Sequence, residues 1–179
     1  MNHKTQCTHR PNIYLIGFMG TGKSVVGQLA AKMLGLSYFD SDLEIEKKQQ
    51  TSVSKIFKIH GEIEFRKMER DFIQSGHPKS GCLISCGGGL PIAEGMIEIL
   101  KSKGKVFTLW ASPKTIFERT KKNSSRPLLQ TDDPFSKITK LMSEREPKYR
   151  MADKIISTDD RSASKVAALI QKNYLEELN

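Results

Sequence analysis

Gly17-Phe18-Met19-Gly20-Thr21-Gly22-Lys23-Ser24 lies between an apolar run at 12–17 (NIYLIG) and a segment with helical spacing at 23–34 (KSVVGQLAAKML). The eight residues match G-x-x-x-x-G-K-[ST] at every position, in a strand–loop–helix context. Glycines let the backbone wrap tightly, so that its N–H groups point inward at phosphate oxygens. The helix that follows adds the positive end of its dipole. Lys23 supplies a mobile positive charge for β- and γ-phosphates, and Ser24 supplies a hydroxyl ligand for Mg²⁺. The stretch predicts a nucleoside triphosphate site at Gly20, Thr21, Gly22, Lys23, Ser24 and Val25. It names no acceptor.

Outward from the cradle, strand and helix signals alternate to the end of the chain. Short strands are expected at 37–39, 82–86, 105–110 and 154–157, after the first at 12–17. Helices are expected at 23–34, 41–48, 52–60, 62–75, 92–102, 113–121, 135–145 and 162–178. Val26, Leu29, Ala30 and Met33 form the expected apolar stripe of the first helix, and Gly35 its stop. Ser112 is a good N-cap with Pro113 at the first helical position. Such alternation predicts an α/β fold: a parallel sheet covered by helices on both faces, with ligands at the carboxyl ends of the strands. A tail at 1–11 and one domain over 12–179 are expected.

Several residues fall at that carboxyl edge. The second strand ends in Asp40-Ser41-Asp42. Asp40 suits a water on Mg²⁺, and Asp42 suits an acceptor hydroxyl and its proton. The competing reading has Asp40 or Ser41 merely capping the next helix. Arg66 has Glu62 and Glu69 at i−4 and i+3. That spacing fits a surface ion-pair ladder, and it also fits a carboxylate-binding arginine steadied by Glu69. Gly87-Gly88-Gly89 follow the third strand, where close approach of backbone to a ligand would account for all three. The loop at about 123–133 contains Arg126-Pro127 and has the length of a lid that would exclude water. Arg119 before it suits an adenine face. Arg145 follows in SEREPKYR. Taken singly, each arginine also fits a solvated surface charge.

Composition narrows the class. At 179 residues, 37% hydrophobic and 27% charged, the chain suits one globular core. No apolar run reaches the roughly 20 residues that span a bilayer. The polar, basic opening MNHKTQCTHRPN does not read as a secretory signal. Three cysteines, Cys7, Cys82 and Cys86, suit reduced thiols in the cytosol. A zinc site joining Cys82 and Cys86 to His3 and His9 fits no structural zinc spacing. A net charge of +9 suits anionic ligands and would also suit nucleic acid, but the basic residues form no dense run.

Taken together, GFMGTGKS, the DSD, FRKME, the GGG, RPLL and SEREPKYR resemble the shikimate kinase family over about residues 12–175. The resemblance implies a three-layer α/β/α P-loop kinase fold with a five-stranded parallel sheet. It implies MgATP as donor and the 3-hydroxyl of shikimate as acceptor. Lys23, Asp42 and Arg126 would be catalytic. Ser24 and Asp40 would serve Mg²⁺. Arg119, Arg126 and Arg161 would join the cradle around ATP. Asp42, Arg66, Gly87, Gly88, Gly89 and Arg145 would bind shikimate, with Phe57 and Phe65 as walls. The departures from the family pattern are a longer tail and Cys86 with Leu90-Pro91 around the glycines. A cytoplasmic monomer without nucleic-acid or membrane partners is expected. The rivals are another P-loop small-molecule kinase such as a gluconate kinase, a nucleotide-binding regulator without catalysis, and a basic nucleic-acid-binding domain.

Overall fold

Residues 10–121 and 131–178 are described by a computed structural model. Five strands, β1 (Asn12–Ile16), β2 (Ser37–Asp40), β3 (Cys82–Ser85), β4 (Gly104–Trp110) and β5 (Lys154–Ser157), form one sheet in the order β2-β3-β1-β4-β5. Every pairing is parallel, with Tyr14 beside Ile84 on one side and Val106 on the other. Central β1 is buried throughout, which is why NIYLI shows no polar alternation. Its residues still obey a period of two. Ile13 and Leu15 enter one core with Val26, Ala30, Val166 and Ile170; Tyr14 and Ile16 enter the other with Ile56, Phe65, Leu100 and Ile138.

The first core belongs to α1 (Lys23–Leu34) and α7 (Ala163–Glu176), and the second to α2 (Ser41–Gln49), α3 (Val53–Ser75), α4 (Met96–Lys103), α5 (Pro113–Thr120) and α6 (Pro134–Tyr149). The buried face of α1 is Val26, Gly27, Ala30, Ala31 and Leu34. Met33 is instead exposed, so the expected stripe is rotated. The cause is Gly27, where a Cβ would stand 2.9 Å from Tyr38 and 3.2 Å from Leu83. Small residues let α1 lie directly on the sheet.

Beyond shifts of one or two residues, three boundaries differ from the sequence reading. The helices expected at 52–60 and 62–75 run on as α3, but Gly61 breaks the helical geometry between them with φ 76° and ψ 175°. The helix expected at 92–102 is a single 3₁₀ turn, Leu90–Ile92, followed by α4. Gly95, at φ 70°, separates the two. The helix expected at 135–145 continues through Pro147 to Tyr149, so Arg145 sits inside α6 rather than at its end. Asp133 caps α6 by accepting from Ser136 N–H at 3.0 Å, and Pro134 opens it.

Candidate active site

The cradle turns on glycines at positive φ, 142° at Gly17, 79° at Gly20 and 92° at Gly22. Gly17 also has no room for a side chain, because a Cβ there would lie 2.3 Å from the Leu109 carbonyl oxygen. Thr21 is buried and braces the loop, its hydroxyl donating to Phe18 O at 2.8 Å. Gly22 caps α1 without any side-chain acceptor for the first helical N–H groups, which leaves them for a ligand. Lys23 Nζ folds over the loop and donates to Gly17 O at 2.9 Å and Phe18 O at 3.0 Å. A cleft of about 480 Å³ opens here, lined among others by Gly20, Gly22, Lys23, Ser24, Val25 and Arg119. Its far wall is Asp40, Asp42 and Gly87-Gly88.

The two readings of Asp40 are not alternatives. One carboxylate oxygen, Oδ1, caps α2 by accepting from the N–H groups of Asp42 at 3.1 Å and Leu43 at 3.5 Å. The other, Oδ2, accepts from Ser24 Oγ at 3.3 Å. Two hard oxygen donors thus meet at the mouth of the cleft with the cap still intact, a set that fits Mg²⁺ with most of its shell from water and phosphate. Between the two acids, Ser41 is fully buried and its hydroxyl accepts from Gly87 N–H at 2.8 Å. This ties α2 to the glycine run. Burial pushes the Asp42 carboxyl above its ordinary range and the charge of Asp40 adds to the shift, while Lys23, Ser41 and Arg66 oppose it. An acid held in that way is suited to taking a proton.

None of Gly87-Gly88-Gly89 has a positive φ; Gly87 and Gly89 are required for space, while a side chain on Gly88 would only touch its neighbours. A Cβ on Gly87 would meet Asp42 Oδ1 at 2.5 Å and Glu69 Oε1 at 2.9 Å. On Gly88 it would face Gly17 O and Met19 N of the cradle at 3.5 and 3.6 Å. On Gly89 it would strike the Arg66 guanidinium at 2.3 Å. The tripeptide is therefore a seam, with the phosphate cradle against its middle and charged side chains against its ends. The close approach expected of it is, in this structure, to the site's own groups.

Arg66 is held from both ends. Its Nε and Nη2 donate to Glu62 Oε1 at 3.2 and 2.7 Å, and its Nη1 donates to Glu69 Oε2 at 2.6 Å. The rings of Phe57 and Phe65 stand 5.9 and 5.7 Å from its Cζ. Glu69 is only 1% exposed, so the surface-ladder reading holds for Glu62 and fails for Glu69. Arg66 faces Arg145 across a concavity of about 730 Å³ that also includes Gly89. Arg145 lies over the Phe18 ring at 5.6 Å, which links this concavity to the cradle.

The remaining expected residues divide. Arg119 clamps the cradle to the segment after β5, donating to Gly20 O, Thr158 Oγ1 and Thr158 O at 3.3, 2.9 and 2.8 Å. Arg161 donates to Ser157 O at 2.7 Å on the surface beyond and is not part of the cleft lining. Arg126 and most of the expected lid lie outside the described residues. Sequence reasoning missed Tyr149, whose buried hydroxyl donates to Gly88 O at 2.8 Å and steadies the seam. No local signal links residues so far apart in the chain. Among the described residues no cluster of three His, Cys, Asp or Glu side chains is arranged for a metal, and Cys82 and Cys86 are buried free thiols. No described helix is long and apolar enough to cross a membrane.

The chain and its fold have close counterparts. The family model for shikimate kinase matches residues 19–175. The chain belongs to the shikimate kinase family. The shikimate kinase of Thermodesulfovibrio yellowstonii is 43% identical over 91% of this chain and 94% of its own length. The structure of shikimate kinase from Acinetobacter baumannii in complex with shikimate superposes with a TM-score of 0.87 at 35% identity, covering 94% of each chain. That of Aquifex aeolicus shikimate kinase gives 0.80 at 34% identity, covering 92% of this chain and 96% of that one. The five-stranded parallel sheet is therefore the family's P-loop kinase fold, and the chain is an ATP-using phosphotransferase with an alcohol acceptor.

Proposed function

We propose that the protein transfers the γ-phosphoryl group of MgATP to the 3-hydroxyl of shikimate. The observation that carries this reading is the seam at Gly87-Gly88-Gly89, which sets the carboxylate-binding Arg66 two residues from the Asp42 carboxyl and one from the cradle. A rigid ring bearing an acid at one end and hydroxyls at the other matches that spacing.

In this reading ATP lies in the 480 Å³ cleft, with its phosphates on the N–H groups of residues 20–25. Lys23 leaves the carbonyls of Gly17 and Phe18 for the β- and γ-phosphates. Ser24 and, through water, Asp40 would hold Mg²⁺, which would supply neutralisation of the charge on the phosphates. Arg66 and Arg145 pair with the acceptor carboxylate, and Gly88 and Gly89 let its ring sit close. Asp42 orients the hydroxyl and takes its proton as the phosphoryl group transfers. Arg119 borders the nucleotide. Arg126 and Arg161 are assigned from the sequence resemblance alone. The buried reduced thiols Cys82 and Cys86 support a cytosolic setting, and the protein is taken as a monomer that engages neither nucleic acid nor membrane.

The test is an ADP-release assay across shikimate, gluconate and nucleoside monophosphates. Turnover selective for shikimate is expected. Equal or greater turnover of gluconate would transfer the assignment to another small-molecule kinase.

A further inference from the structure

Among the described residues, Glu69 Oε1 is the one buried side-chain oxygen or nitrogen without a hydrogen-bond partner. Its twin Oε2 is satisfied by Arg66. The orphan lies 2.9 Å from where a Gly87 Cβ would stand, and Asp42 Oδ1 lies 2.5 Å from the same point. Glu62 holds the opposite end of Arg66. Glu62 and Glu69, two turns apart on α3, thus grip one guanidinium, and Asp42 of α2 lies within its electrostatic reach. Lys23 bears on Asp42 from the cradle, and the Cys86 thiol feels Glu69 from the end of β3.

A buried orphan oxygen beside a second acid is costly as an anion and easily satisfied as a hydroxyl. In the ligand-free protein the balance is close: burial first, then Asp42 and Glu62, push the Glu69 carboxyl up to about 7 against the pull of Arg66. An acid acceptor docking on Arg66 brings a further negative charge and draws part of that pull away. That change favours the protonated form of Glu69.

We propose that Glu69 takes up a proton from solvent on Oε1 when the acid acceptor docks on Arg66, so that acceptor affinity weakens as the medium becomes alkaline. The inference rests on the acid-acceptor reading above and adds a role for Glu69 as a proton-holding positioning residue. Oε2 keeps its bond to Arg66 in both states, so the clamp survives while the charge count of the pocket stays level.

The test is titration calorimetry of shikimate into the full chain at pH 7.5, in buffers of low and high ionisation enthalpy. An uptake of more than about half a proton is expected, and affinity should fall roughly fivefold between pH 6 and pH 8. Glu69→Gln, which keeps an acceptor for Arg66, should bind without uptake and with a flat pH profile. Binding heats that are equal in the two buffers would overturn the inference and leave the acceptor assignment standing. So would uptake that persists in the glutamine variant, because the proton would then belong to another group. Absence of any binding heat would overturn both. If the variant fails to fold, equal wild-type heats in the two buffers still overturn the inference.

Discussion

Replacing Gly89 by alanine should damage acceptor binding and spare nucleotide binding. The new Cβ would lie 2.3 Å from Arg66 Nη2 and 2.7 Å from Cζ and Nη1. Ordinary contact begins near 3.4 Å, so the guanidinium must retreat by about 1 Å. Its bond to Glu69 Oε2 is 2.6 Å long, and such a retreat takes it beyond useful hydrogen-bond length. Charge-assisted bonds contribute about 1.5–3 kcal/mol each, and misaligning the donor fork toward the acceptor carboxylate costs about the same again at the substrate. The expected result is a rise in KM for shikimate of about tenfold to a hundredfold. KM for ATP should stay within about twofold, because the cradle contacts Gly88 and not Gly89. Steady-state kinetics with each substrate varied in turn, beside a melting curve, reads both. An unchanged shikimate KM in a folded variant would refute the argument that Arg66 is confined by the seam. An equal loss for ATP would refute the separation of the two subsites.

Lys23→Ala should lower kcat by more than about a hundredfold through loss of charge stabilisation at the phosphates, with a melting temperature near that of the parent; a variant keeping most of its turnover would show that the cradle is misread. Asp40→Asn should keep the cap on α2 and therefore the melting temperature, while raising the Mg²⁺ concentration needed for half-maximal rate, whereas Asp40→Ala should lose about 1 kcal/mol of stability as well. For Glu69 the sign of the pH effect follows from a folded-state value of about 7 against 4.5 for an ordinary glutamate. The folded chain holds the proton across that window and the unfolded chain does not, so stability is fullest below 4.5 and declines as pH rises through 7. Melting curves of Glu69→Gln should be flatter than wild type over that window, and parallel curves would count against the buried acid.

What was legible in the sequence was whatever a single element encodes. GFMGTGKS gave the cradle because its glycines, lysine and serine act within one turn of chain, and β5 was read to its last residue because apolar periodicity is local. Legibility failed where two distant segments share the work. Helix spacing leaves Glu69 between a surface ladder and a brace for Arg66, because it says nothing about which face the sheet covers. The glycine run announces a close approach but not its partners, and its side-chain-free surface also accommodates Asp42, Glu69 and Arg66 from elsewhere in the chain. Met33 fits the apolar stripe by hydrophobicity alone, which carries no sign of the small residue that the sheet requires at Gly27. The continuation of α6 past Pro147 ran against the usual helix-stop signal; packing of Tyr149 in the core and against Gly88 compensates locally.

The most direct measurement of the central claim is phosphorus NMR of the purified chain with ATP, Mg²⁺ and shikimate, following both products together. One ADP and one monoester on the ring carbon that bore the 3-hydroxyl should appear in equal amounts, and neither should form when Mg²⁺ is chelated. A folded protein that releases inorganic phosphate at the same rate with and without shikimate, and forms no ester, would contradict the account.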